Sequence, residues 1–279
     1  MTRIVHLTDL HFGLERAELV SPLHEAILAC HPDLVVVSGD LTQRARRGQF
    51  AQAMGFLRDL RLPVMVIPGN HDVPLYNLFA RFLDPFGGFR RGAATDLTPM
   101  VQTGRLRLYG MNTADPFSWR RGIARKAEVD RVIRALRAGP PDAVNILVCH
   151  HPLEEPPGFE RGETQGAAEA MTRLADAGLH LVLSGHLHHW SVGLGIGDGQ
   201  SRRLFQMQTG TALCARAGER DHGFAVLDLW GRDLQVTPWI FDEAQGHFVA
   251  GPTQSFQRQD GYWRSDCSVT DGAPSDQSR

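Results

Sequence analysis

The chain has 279 residues, 42% hydrophobic and 22% charged, with a formal net charge of −2, so one soluble globular domain with a sizeable core is expected. No global positive charge draws it to a nucleic-acid backbone or an anionic membrane, so no specific nucleic-acid binding is expected, and no apolar run approaches the roughly 18 residues of a membrane span. Cys30, Cys149, Cys214 and Cys267 are widely spaced without a C-x-x-C pair, which argues against a disulfide framework and against a cysteine metal site.

Residues 3–7 read as a short buried strand that delivers Thr8-Asp9-Leu10-His11. In extended backbone, positions two apart point to the same side, so Asp9 and His11 would offer a carboxylate and an imidazole together. With a strand under way at residue 3, no secretory leader is expected and a cytoplasmic location follows. Ser21 and Pro22 look like the N-cap and first position of a helix whose stripe is Leu23, Ala26, Ile27 and Cys30. The run 34–37 is a strand buried on both faces that delivers Gly39-Asp40, and Phe50, Ala53, Met54, Leu57 and Leu60 trace a second helix. Residues 64–67 form a third buried strand, followed by Gly69-Asn70-His71-Asp72. Helix alternating with buried strand predicts βαβ units and a largely parallel sheet.

Periodicity weakens after Tyr76, and residues 84–92 and 115–122 read as loops carrying aromatics and arginines. A turn at 102–105 precedes a strand at 106–109. Val129, Val132, Ile133 and Leu136 mark a helix closed by Gly139-Pro140-Pro141, and the strand 144–149 ends on His150. Residues 152–162 form a third, proline-rich loop, and a helix spans about 164–177. The strand 180–184 then delivers Gly185-His186-Leu187-His188. Beyond it the runs 190–196, 203–208, 224–229 and 235–241 have period two and read as antiparallel strands. The domain is expected to cover 1–266, with 267–279 a flexible polar tail.

Carboxylate oxygen and imidazole nitrogen are ordinary ligands of borderline divalent metals, and open α/β sheets bind ligands beyond the carboxyl ends of their strands. Asp9, His11, Asp40, Asn70, His150, His186 and His188 would all gather there. Three oxygen donors and four imidazoles suit two cations better than one, because a carboxylate can bridge, and such a pair clamps an in-line displacement at phosphorus.

The ordered blocks Asp-x-His, Gly-Asp, Gly-Asn-His-Asp, His and Gly-His-x-His resemble the calcineurin-like metallophosphoesterase superfamily over roughly residues 3–240. The resemblance implies an α/β fold: a four-layer αββα sandwich of two mixed β-sheets flanked by helices. It implies one metal on Asp9, His11, Asp40 and His188 and another on Asp40, Asn70, His150 and His186, with Asp40 bridging; Mn, Fe and Zn all suit the donors. A metal-bridging hydroxide would attack phosphorus in line, with His71 beside the leaving group and Asp72 orienting its ring. Short length and the Gly-Asn-His-Asp form are most similar to class III cyclic nucleotide phosphodiesterases. A small phosphoester, first of all a 3',5'-cyclic nucleotide, is thus the expected substrate. A phospholipid or lipid-precursor phosphoester is the alternative, and a metal-free scaffold of the same fold a third reading.

Taken singly, Asp9 or His11 would more often be a solvated turn residue than a ligand. His150 and His151 compete for one position, and the resemblance favours His150. His6, His24, His31, His180, His222 and His247 lack a partner motif and read as packed or surface histidines. Thr209-Gly210-Thr211 resembles a Gly-Thr that follows the last histidine motif in relatives, and reads equally well as a bare turn. In the rim loops Arg90, Arg91, Phe117 and Trp119 are the candidate substrate-binding residues, since arginine pairs hold phosphate and aromatics stack on bases. Together with Phe86 and Phe89 they also suit an anionic bilayer, and contact with a membrane surface is left open, as is a homodimer.

Overall fold

The computed structural model describes residues 1–156, 164–194, 197–198, 201–259 and 261–265. The expected tail 267–279 and residues 157–162 of the third loop lie outside the described residues, as do the last two residues of the run 190–196. In chain order the strands are β1 (Thr2–Leu7), β2 (Leu34–Val37), β3 (Val64–Val66), β4 (Met100–Thr103), β5 (Leu106–Met111), β6 (Val144–Cys149), β7 (Leu181–Ser184) and β8 (Ser191–Leu194). They continue as β9 (Gly197–Asp198), β10 (Ser201–Arg202), β11 (Phe205–Gln208), β12 (Gly223–Trp230), β13 (Asp233–Asp242), β14 (His247–Ala250), β15 (Gln254–Gln259) and β16 (Tyr262–Ser265). The helices are α1 (Ala17–Ala29), α2 (Arg47–Asp59), α3 (Leu78–Leu83), α4 (Gly87–Gly92), α5 (Lys126–Arg137) and α6 (Ala167–Asp176).

An unbroken apolar strand needs cover on both faces, and β2 finds it. Val36 enters a core between two sheets with Ile4, Met65, Ile146 and Leu183, whereas Val35 and Val37 pack under α1 and α2 against Leu23, Ile27 and Leu57. On the far side α5 and α6 bring Val132, Leu136, Met171 and Leu174 onto Tyr109, Leu147 and Val182. Each such side chain contributes roughly 1.5–3 kcal/mol when taken out of water. The outcome is four layers: helices, sheet, sheet, helices.

One sheet runs β3-β2-β1-β12-β13-β15-β16-β10-β9, with β14 on β13; the other runs β4-β5-β6-β7-β11-β8. Both are mixed. Among the described residues only the strands β1 to β3 and β5, β6, β7 and β11 pair in parallel, so the largely parallel sheet expected from βαβ alternation is confined to these strands. Phe205–Gln208, expected antiparallel, pairs in parallel with β7 and antiparallel with β8. The excursion through β8 to β10 is long enough for the crossover that parallel pairing requires.

Two local expectations also change, and three strands are added. α1 begins at Ala17 and holds Pro22 inside; the carbonyl that Pro22 cannot serve belongs to Glu18, an exposed residue. Residues 84–92 are not all loop, because α4 forms there and buries Phe89 against Phe50 with ring centroids 6.1 Å apart. Six residues with three glycines are too few to show a helical stripe. Finally, β14 to β16 extend the first sheet, burying Phe248, Phe256 and Trp263.

Candidate metal centre

Parallel strands end at one rim, and the residues after them interlock. Asp9 N–H donates to the Gly39 carbonyl at 3.2 Å, His11 N–H to the Asp40 carbonyl at 3.0 Å and Gly185 N–H to the His150 carbonyl at 3.0 Å. The backbone there is not extended. Asp9, His11, Asp40, His186 and His188 have φ of 54°, 48°, 53°, 73° and 52°, five of the nine non-glycine residues with positive φ among the described residues. Such a conformation costs roughly 1–2 kcal/mol per residue and concentrates at functional sites. Asp9 and His11 therefore face the same way because two left-handed residues flank the buried Leu10, not because a pleat alternates. Gly39 has φ of +102°, and a Cβ on it would lie 2.6 Å from His150 Nδ1; only glycine lets that imidazole in.

Each shared carboxylate divides its labour. Asp9 Oδ2 accepts from the Thr8 hydroxyl at 2.7 Å and from His186 N–H at 2.9 Å, which leaves Oδ1 facing His188 Nε2 at 3.0 Å and His11 Nε2 at 3.4 Å. Asp40 Oδ1 accepts from His71 N–H at 2.8 Å, while Oδ2 faces His11 Nε2 at 3.6 Å and His150 Nε2 at 3.4 Å. Asn70 gives its amide N–H to the Trp119 carbonyl at 3.1 Å, so Oδ1 faces His150 Nε2 at 3.0 Å and His186 Nδ1 at 3.1 Å.

Tautomers are fixed from behind. His150 Nδ1 lies 2.9 Å from the Ser38 carbonyl and His188 Nδ1 2.8 Å from Glu219 Oε1, so both carry their proton on Nδ1 and turn the Nε2 lone pair inward. Lone pairs thus meet lone pairs, and a proton or a cation must lie between them. The donor set fits two cations, with Asp40 Oδ2 common to both groups. Without a cation, burial opposes charge on His150, but the Asp40 carboxylate prevails and pushes it up to about 9; His188, buried yet beside Asp9 and Glu219, rises to about 10. Burial, with His150 adding to it, pushes His186 down to about 3. For Asp40 burial favours the neutral acid, but the neighbouring imidazoles, His150 foremost, hold it well below the usual carboxylate range.

Two expectations shift in role. Asp72 does not reach the His71 ring: its carboxylate accepts from Leu41 N–H at 3.2 Å, Thr42 N–H at 3.0 Å, Gly69 N–H at 3.0 Å and the Thr42 hydroxyl at 3.0 Å. It ties the loop after β2 to the loop after β3. The His71 ring is set by the Gln43 carbonyl, 3.0 Å from Nδ1, and a His71 nitrogen also lies within 4.8 Å of donors of His11 and Asp40. His151 turns onto the Thr113 hydroxyl at 2.9 Å and stands beside His186, ring centroids 4.4 Å apart.

Sequence reasoning passed over three further residues. Glu219 backs His188, and Thr211, left as a turn, donates its hydroxyl to the Asp9 carbonyl at 2.7 Å. Cys214 comes within 4.8 Å of donors of His11 and His188, and burial pushes its thiol up to about 11. None belongs to a short motif; only the Gly-Thr at 210–211 gave a signal.

A cleft of about 600 Å³ opens over the centre, lined among others by Asn70, His71, Trp119, Arg44, Arg120 and Arg216. Trp119 is where the rim-loop expectation put it. Arg90 and Arg91 are not in the cleft: both reach Asp84, at 3.4 and 3.3 Å, on the outer side of α4. Phe117 also faces away, and Phe86 and Phe89 are buried in the core. The cleft takes its positive charge instead from Arg44, Arg120 and Arg216, which come from three separate loops, and from Arg81 on α3.

Residues 2–190 match the family model described as calcineurin-like phosphoesterase. A probable cyclic nucleotide phosphodiesterase of Rhodopseudomonas palustris is 29% identical over 167 residues, which cover 54% of this chain and 57% of that protein. The chain thus aligns with little more than half the length of that relative. Among solved structures, a purple acid phosphatase from yellow lupin (Lupinus luteus) seeds superposes with a TM-score of 0.66 at 14% identity, covering 90% of this chain and 53% of that one. A dimetal phosphatase from Danio rerio gives 0.63 at 12% identity, covering 89% and 98%. These likenesses support the layered fold, and the family match covers well over half the sequence: the chain belongs to the calcineurin-like phosphoesterase family.

Proposed function

We propose that the centre hydrolyses a phosphodiester with two divalent cations shared through Asp40, and that a 3',5'-cyclic nucleotide is the substrate. The observation that carries this reading is a single oxygen, Asp40 Oδ2, turned toward imidazoles of both donor groups under an open cleft. Asp9, His11, Asp40 and His188 would hold one cation; Asp40, Asn70, His150 and His186 the other. Mn, Fe and Zn all suit such nitrogen and oxygen donors, and two cations supply Lewis acidity and an activated water.

The protein's own groups do the rest. Arg44, Arg120 and Arg216 bring donors to the non-bridging phosphate oxygens, since guanidinium matches phosphate geometry. Trp119 offers an aromatic face at the cleft wall for a base. With Nδ1 held at the Gln43 carbonyl, His71 keeps Nε2 for the departing oxygen, as general acid or charge stabiliser. Asp72 holds the two loops that place Asp40 and His71. The relative from Rhodopseudomonas palustris supports the nucleotide assignment, as does a cleft of small-molecule size.

The test is a panel of phosphomonoesters, cyclic nucleotides, glycerophosphodiesters and phospholipids assayed with Mn²⁺. The highest kcat/KM should fall on a cyclic nucleotide. If another class is turned over faster, the substrate assignment fails while the two-cation centre stands; no turnover on any class would overturn both.

A further inference from the structure

Most of the exposed large apolar side chains among the described residues sit together beside the mouth of the cleft. α3 is six residues long and turns Leu78, Phe79, Phe82 and Leu83 into solvent, with Phe79 and Leu83 82% and 81% exposed. Phe117, 79% exposed, stacks on Phe82 with ring centroids 5.5 Å apart. The patch is firmly mounted. Buried Arg81 donates to the Pro74 carbonyl at 3.0 Å and to the Ser118 carbonyl at 2.8 Å, and its guanidinium lies 5.7 Å from the centre of the Trp119 ring. The apolar helix is thereby clamped to the loop that forms one wall of the cleft. A contiguous exposed apolar patch marks a place where something docks.

Charge identifies what. Around the patch stand four exposed arginines, at 90, 91, 120 and 121, against Asp84 and Asp115, a local excess of two positive charges on a chain of net −2. Asp84 is engaged by Arg90 and Arg91, and Asp115 lies 3.9 Å from Arg125. Arg120 and Arg121 are left with no carboxylate within 4 Å among the described residues. A second copy docked face to face would set this positive excess against itself. Anionic headgroups would neutralise it while the acyl boundary takes up the aromatic and aliphatic groups.

We propose that this arginine-flanked apolar rim docks peripherally on an anionic lipid bilayer, seating α3 and Phe117 at the headgroup boundary and turning the cleft toward the membrane. No helix among the described residues is long and apolar enough to cross a membrane, so the contact is superficial. The docking goes beyond the cyclic nucleotide reading and does not require it.

Co-sedimentation of the full chain with phosphatidylcholine vesicles, with and without phosphatidylglycerol, tests the docking. Binding should require the anionic lipid and weaken with added salt. The double variant Phe79→Ser/Leu83→Ser should lose roughly tenfold or more in partitioning, as should Arg121→Glu. The double variant should keep the parent's turnover of a soluble p-nitrophenyl phosphodiester, which shows that it is folded. Parent protein that ignores anionic vesicles, or variants that bind as the parent does, would overturn the proposal. So would a parent dimer that the double variant converts to monomer, which would assign the face to a second copy. Vesicle binding needs no catalysis, so it stands or falls apart from the assigned substrate.

Discussion

Asp40 turns one oxygen toward His11 and His150, where it would serve both proposed cation positions, and fixes the loop after β3 with the other, so its loss should be felt most widely. Asp40→Ala should strip both metals, measured as metal equivalents by atomic emission; two equivalents on a folded variant would refute the bridging role. Glu219→Gln should be milder. It leaves all proposed ligands in place but weakens the acceptor that orients His188, so affinity at that one position should fall about 10–100-fold in chelator competition. Equal loss at both positions would point to general damage instead. His71→Ala should lower kcat by about 10²–10⁴ on substrates with poor leaving groups and less on p-nitrophenyl esters, whose departing oxygen needs no proton. Metal content should stay at two equivalents; a loss of metal would make His71 a ligand.

Elements determine which arginines matter. The loops after β2, β5 and β11 converge on the cleft, whereas α4 turns Arg90 and Arg91 outward onto Asp84. Arg44→Ala should therefore raise KM about tenfold or more, the cost of removing a charge-assisted hydrogen bond to phosphate. Arg90→Ala/Arg91→Ala should leave steady-state kinetics on the best soluble substrate unchanged. The reverse pattern would place the substrate over α4. The arginines thus have two different fates, one set on converging loops at the cleft and one set on α4 at the flank.

For the molecule as a whole, two buried histidines outside the proposed ligand set add to the loss of stability in acid. Burial pushes His6 and His180 down to about 3, and His180 Nδ1 accepts the Asn145 N–H at 2.9 Å, a bond that only the neutral ring can make. Their unfolded value is about 6.5. Between these values the unfolded chain binds more protons than the native one, so stability must fall as pH drops through this window and level off above about 6.5. Each histidine contributes up to about 1.4 kcal/mol per pH unit there. Urea unfolding of His180→Gln, which keeps an acceptor, should show a shallower decline from pH 6 to 4 than the parent; parallel curves would remove His180 from the account.

The alternation of helices with buried strands and the donor blocks were legible in the sequence, and the four layers in the family resemblance. Unbroken runs such as Leu34–Val37 demand cover on both faces, and helical stripes such as Val129 to Leu136 supply it. Asp9, His11, Asp40, Asn70, His150, His186 and His188 were legible because each follows an apolar strand in a short motif, and the structure brings all seven to one rim. Residues whose partners are remote in sequence could be placed only by the fold. Glu219 meets His188 across 31 positions and Thr211 meets Asp9 across 202, separations at which no local pattern exists. Asp72 adjoins His71 in sequence, yet its carboxylate goes to backbone donors 30 and 31 positions away, because a buried carboxylate takes whichever N–H groups the fold presents. Arginines in aperiodic loops look alike in sequence; whether one reaches the cleft or an aspartate depends on contacts remote in sequence, and a six-residue helix such as α4 is too short to write a stripe.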